Sequence, residues 1–230
     1  DTVSERGHLV FKNVTFSYAQ SEEPVLNNIT FEAKSGEVTA IIGSTGSGKS
    51  TIANIIPRFF EIQSGEISIN GQDIKKIPQK ELRDKIGFVP QKAFLFSGTI
   101  EENIRYGKED ASIEEVKHAA SIAQADEFIS DMEDKYDSFV AQGGNNLSGG
   151  QKQRISIARA LVRKPEVYVF DDSFSALDFK TDKRLRKALK NEIKDSSAII
   201  IAQRISTIMD ANQIIVLNDG KIVGIGKHKD

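Results

Sequence analysis

The chain has 230 residues, 39% of them hydrophobic and 28% charged, enough for a single sizeable folding unit with a buried core. Its net charge of -2 gives no sign of a nucleic-acid partner or of an acidic surface to bind. There is no cysteine, which excludes disulfides, thiolate metal sites and cysteine nucleophiles.

Taken in chain order, the polar start at Asp1–His8 has no signal-peptide core. Leu9–Phe16, Ile29–Ala33 and Gly65–Ile69 alternate apolar and polar residues, and turns follow at Ser35-Gly36 and Asn70-Gly71. This pattern predicts an antiparallel sheet. Glu37–Ile42 is a near-continuous apolar run that predicts a strand covered on both faces. Glu166–Phe170, Ala198–Ala202 and Gln213–Leu217 repeat that pattern, with helices predicted over Ser50–Phe60 and Lys183–Ile193. Alternation of this kind argues an α/β fold. Between Ser97 and Ala160 the texture turns helical, with predicted helices at Ser112–Ala123, Ala125–Glu133 and Gly149–Val162. The expected organisation is one domain. Residues 1–92 and 161–230 form an α/β core with an antiparallel β part, and residues 93–160 form an inserted helical part. No apolar run reaches the roughly 18 residues needed to cross a bilayer, so the chain as given is expected to be soluble.

Gly43-Ser44-Thr45-Gly46-Ser47-Gly48-Lys49-Ser50 fits G-x-x-x-x-G-K-[ST], set between a predicted strand and a predicted helix. In such a loop, successive N–H groups and a helix start point at phosphate oxygens. The lysine reaches the terminal phosphates and the Ser50 hydroxyl ligates Mg²⁺, with Thr51 following in the same turn. The Val167–Phe170 run ends in Asp171, where a Mg²⁺-directed carboxylate belongs.

Leu147-Ser148-Gly149-Gly150-Gln151-Lys152-Gln153-Arg154 opens a helix shortly before the Asp171 strand. It resembles the LSGGQ signature of ABC ATPases, and the resemblance extends over essentially the whole chain. It implies a P-loop NTPase core with an N-terminal antiparallel β subdomain and an inserted α-helical subdomain. The implied ligands are ATP and Mg²⁺. Tyr18 is implied to stack on adenine, and Gln91 to sense Mg²⁺ and face transmembrane domains. Ser148, Gly149, Gly150 and Gln151 would dock on the γ-phosphate of ATP held by a second nucleotide-binding domain. Ser175-Ala176-Leu177-Asp178 matches the loop that crosses the dimer interface. Phe94–Ile100 with Glu102-Asn103-Ile104 is similar to the exporter branch, especially multidrug and peptide half-transporters. The implied location is the cytoplasmic face of the cell membrane.

Three positions depart from the family. Asp172 stands where a glutamate usually polarises the attacking water, about 1.5 Å shorter in reach. Gln203 stands where a histidine is usual, and none of His8, His118 or His228 replaces it. A glutamine can hydrogen-bond a phosphate but cannot carry the imidazole's proton. Gln142 replaces a glutamate ahead of the signature. The pattern is similar to the chain of a heterodimeric exporter whose own ATP site is weakened and whose signature completes its partner's site. A soluble ABC ATPase that transports nothing, and a purely regulatory ATP-binding subunit, remain open alternatives.

Overall fold

The computed structural model describes residues 6–44 and 46–227. Strand β1 (Leu9–Phe16) pairs antiparallel with β2 (Leu26–Ala33). The register sets Phe11 opposite Phe31, and their rings stack at 4.5 Å, the kind of cross-strand pair that stabilises a sheet. Next come β3 (Val38–Gly43), helix α1 (Lys49–Ile55), β4 (Ser64–Ile69) and β5 (Gln72–Asp73). Helix α2 (Gln79–Asp84) and β6 (Ile86–Val89) follow. The chain then runs through β7 (Gly98–Thr99), α3 (Ile100–Arg105), α4 (Ile113–Ile122), α5 (Asp126–Ser130), β8 (Phe139–Val140) and α6 (Gly149–Val162). It closes with β9 (Val167–Asp171), α7 (Phe179–Glu192), β10 (Ser197–Ile201), α8 (Ile205–Ile208), β11 (Gln213–Asn218) and β12 (Lys221–Gly226).

Two compact units result. The first holds residues up to Phe88, Glu166–Asp172 and Ile193 onward; the second holds Val89–Pro165 and Ser173–Glu192. The first contains a four-stranded sheet ordered β2-β1-β4-β5 and most of a six-stranded sheet ordered β12-β11-β3-β10-β9-β6. Strands β11, β3, β10 and β9 run parallel, and β12 is antiparallel at the edge. Strand β10 is buried throughout and β9 along all but its last residue, which explains their continuous apolar sequences. An apolar cluster links both sheets with α1, from Leu9 and Phe11 through Ile52 and Ile55 to Val169 and Ile201. Each fully buried large side chain contributes roughly 1.5–3 kcal/mol.

The second unit is mainly helical. Helix α4 starts on a reciprocal Ser112–Glu115 capping box and α6 on a Ser148–Gln151 one. Several elements differ from the sequence expectation. Helix α1 stops at Ile55 rather than Phe60, because Pro57 cannot continue the helix and Arg58 turns left-handed at φ +59°. Helix α7 starts at Phe179, four residues before the expected Lys183, on an Asp178 carboxylate that accepts the Thr181 N–H at 2.8 Å. Helix α5 is shorter than expected, and β6 and β12 were not expected at all. Among the described residues, no helix is long and apolar enough to cross a membrane.

Candidate functional site

In the first unit the candidate site lies at the C-terminal ends of parallel neighbours β3, β9 and β10, where open α/β sheets bind ligands. Strand β3 ends at Gly43, paired with Leu217 of β11. A Cβ on Gly43 would lie 2.6 Å from the Leu217 carbonyl and 2.4 Å from Ser47 Oγ, so no larger residue fits. Gly48 caps α1 at φ +98°, a conformation that favours glycine. No side chain caps this helix, which leaves its first N–H groups for an anion. The loop is docked by Gly220 N–H on the Ser47 carbonyl at 2.9 Å. Lys49 is buried, and its Nζ donates to the Gly43 carbonyl at 2.7 Å. Ser47 Oγ is buried without a partner among the described atoms. Ser44 and Gly46 are exposed, and Thr45 lies outside the described residues.

Asp171 closes β9 with Oδ1 3.4 Å from the Ser50 hydroxyl. Burial pushes the Asp171 carboxyl above the usual carboxylate range, and the adjacent Asp172 charge adds to the rise, while Ser50 and Lys49 oppose it. Asp172 is raised too, again chiefly by burial. Its backbone is left-handed at φ +51°, and its N–H donates to the Ile201 carbonyl at 2.8 Å. The Asp172 carboxylate accepts the Gln203 backbone N–H, with the charges of Lys49 and Arg204 nearby. The Gln203 residue itself is exposed. A carboxylate and a hydroxyl are the hard oxygen donors that Mg²⁺ takes alongside phosphate oxygens. No group of three or more potential His, Cys, Asp or Glu metal ligands occurs among the described residues. The residues present fit a Mg²⁺–nucleotide.

Tyr18 is 37% exposed and packs edge-on against Phe16 and Phe60 at 4.9 and 5.3 Å. Its hydroxyl lies 2.9 Å from Thr51 Oγ1, and Thr51 is buried. Lys49, Ser50, Asp171, Asp172 and Gln203 are therefore brought together by adjacent strands, while Tyr18 is tied to Thr51 in the first turn of α1.

The second unit holds the remaining candidates. Gln91 is exposed just past β6. Ser148 and Gly149 are exposed at the start of α6, but Ser148 Oγ already accepts the Gln151 N–H at 3.1 Å in the capping box. Gln142 is exposed in a short 3-10 turn.

Sequence reasoning missed a network around Asn103. This buried side chain contacts Phe96 N at 2.8 Å, Phe96 O at 2.9 Å and Thr99 O at 3.0 Å. Arg159 donates to Asn103 O at 2.8 Å and to Phe94 O at 2.7 Å, and lies over the Phe96 and Tyr106 rings. Burial brings its guanidinium pKa down to about 10. The network holds Phe94, Phe96 and Tyr106 as an exposed aromatic cluster. Its signal was the Phe94–Asn103 wording, which carried no hint of Arg159.

A family model described as ABC transporter matches residues 26–175. An uncharacterized ABC transporter ATP-binding protein of Bacillus subtilis, YfiB, is 47% identical over the whole chain and 40% of its own length. The ATP-dependent lipid A-core flippase of Vibrio parahaemolyticus is 42% identical over 98% of the chain and 39% of its own length. The solved structure of a bacterial Atm1-family ABC exporter with ATP bound has a TM-score of 0.93 and 40% identity, over 99% of this chain and 40% of that one. The chain spans about two fifths of these relatives.

Proposed function

Because the chain belongs to the ABC transporter family as its ATP-binding ATPase domain, we propose that it is one of two unequal halves of an ATP-driven exporter. In this reading Ser44, Thr45, Gly46, Ser47, Gly48, Lys49, Ser50 and Thr51 grip the nucleotide phosphates, with Tyr18 against adenine. Ser50 and Asp171, with Gln91, hold Mg²⁺, which shields phosphate charge when bound. Asp172 and Gln203 sit at the hydrolytic position. Ser148, Gly149, Gly150 and Gln151 complete the site of a second, non-identical nucleotide-binding domain.

The observation that carries the weakened-site reading is the aspartate directly after β9: Asp172 follows Asp171 with its backbone N–H held on the Ile201 carbonyl at 2.8 Å. Its side chain is one methylene shorter than a glutamate's, so its reach toward a water at the γ-phosphate is reduced. Misplacing a base by about 1 Å costs on the order of a hundredfold in rate. Export is supported by relatives named for it, including a putative multidrug export protein of Bacillus subtilis and the lipid A-core flippase. In this reading transmembrane domains meet the exposed Phe94–Phe96–Tyr106 cluster and the Gln91 loop, and the domain works at the cytoplasmic face of the membrane.

The test is the ATPase of this chain with and without its partner. The reading expects Mg-ATP binding with slow turnover alone. Brisk, cooperative hydrolysis by the isolated chain overturns it.

A further inference from the structure

Helix α6 carries a polar side chain, Gln153, at 5% exposure among apolar neighbours such as Ile155, Ile157 and Ala158. A buried carboxamide costs free energy unless both of its ends find partners. Gln153 finds them on two segments far apart in sequence. Its Nε2 donates to the Gln91 carbonyl at 2.8 Å, and its Oε1 accepts the Ala176 N–H at 3.2 Å.

A second buried bond joins the same two segments. Ser173 is fully buried and its Oγ donates to the Val89 carbonyl at 2.7 Å. The loop after Ser173 also lies against the first turn of α6: a Cβ on Gly150 would stand 3.2 Å from the Ala176 carbonyl. Burial lowers the guanidinium pKa of Arg154, the next residue of α6, and the Asp178 charge opposes that fall. Val89–Gln91, the start of α6 and Ser173–Asp178 are thus cross-braced through buried polar groups, with Gln153 at the junction.

We propose that Gln153 is a positioning residue for ATP turnover. Its carboxamide locks the Gln91 loop and the Ala176–Asp178 loop to the helix that begins at Ser148, so the three segments shift as one piece when nucleotide binds. The inference rests on the reading above, in which Gln91 and Ser148–Gln151 serve the ATP sites. Gln153 itself touches neither nucleotide nor water in this account. The sequence includes it in the signature stretch but gives it no role, because its partners lie 62 and 23 residues away.

The test uses the assembled ATPase. Gln153→Met keeps length and loses both bonds. Gln153→Glu keeps the acceptor for Ala176 and loses the donor to Gln91. Ser173→Ala removes the parallel brace.

Two lost positioning bonds are expected to lower kcat roughly tenfold, with KM for ATP within about twofold because the phosphate loop is not among the partners of Gln153. Gln153→Glu, which sets a buried carboxylate against the Gln91 carbonyl, should lower kcat at least as far as Gln153→Met. Amide exchange should accelerate at both 89–92 and 174–178 in Gln153→Met. If that variant does not fold, Gln153→Glu and Ser173→Ala provide the same two readouts. A folded variant with unchanged kcat overturns the proposal. So does a loss that lies entirely in ATP affinity, or faster exchange at only one of the two segments. Lys49→Ala separates the two ideas. If it leaves ATP binding intact, the ATP-site reading fails; if it abolishes binding while the Gln153 variants behave as wild type, only the brace fails.

Discussion

Gly43→Ala places one methyl group where the structure has no room. The added carbon would stand 2.6 Å from the Leu217 carbonyl, in the strand directly paired with Gly43, and 2.4 Å from Ser47 Oγ. The unpartnered serine hydroxyl can rotate aside, but the carbonyl belongs to a parallel ladder and cannot. Overpacking of this kind costs about 1–3 kcal/mol. For a chain of this size about 1 kcal/mol corresponds to roughly 2–4 °C, so the melting temperature should fall by about 2–12 °C. The strain enters through the loop that holds Lys49, so nucleotide binding should fail as well. Saturation at about 100 times Kd is worth roughly 2.7 kcal/mol, so Mg-ATP should raise the wild-type midpoint by about 5–11 °C and leave the variant's unmoved. Thermal melts with and without Mg-ATP read both effects. A variant that melts within about 1 °C of wild type and keeps the ATP shift would refute this packing of the loop on β11.

Asn103→Ala should cost about 1–3 kcal/mol in urea unfolding, because it strands the Phe96 N–H and removes the side-chain acceptor of Arg159 Nη2 in a buried network. Ser148→Ala should cost about 1 kcal/mol by removing the capping box of α6, while Ser148→Thr should recover part of it. The Asp171 carboxyl is raised by burial, so its effect on folding runs opposite to that of a salt-bridged aspartate. Its favourable contribution is present below the ordinary carboxylate pKa and is lost as pH rises through the raised value. Nucleotide-free Asp171→Asn should therefore melt no lower than wild type at pH 7, with any advantage shrinking on acidification; an advantage that grows at low pH contradicts the assignment.

Much of the fold could be read directly. The period-two pattern of Leu9–Phe16 and the continuous apolar run of Ala198–Ala202 each map onto a strand, since burial on one face or two leaves a direct mark on composition. Helix α6 came out at its predicted bounds because its cap residues are local. What escaped was decided at a distance. Strand β12 contains two glycines in six residues and exists by pairing with β11. The Asn103–Arg159 network and the Gln153 brace join segments tens of residues apart, and no local pattern announces them. At the candidate site the residue types were legible, but not the bond between Asp172 and the Gln203 backbone, because it depends on β9 and β10 being neighbours.

The central claim is that Asp172 and Gln203 together limit hydrolysis at this chain's own site. The direct measurement is single-turnover ATP cleavage in the assembled protein, comparing wild type with Asp172→Glu combined with Gln203→His. The account predicts a gain on the order of a hundredfold at this site, with ATP affinity little changed. No gain from a folded, ATP-binding double variant would contradict it.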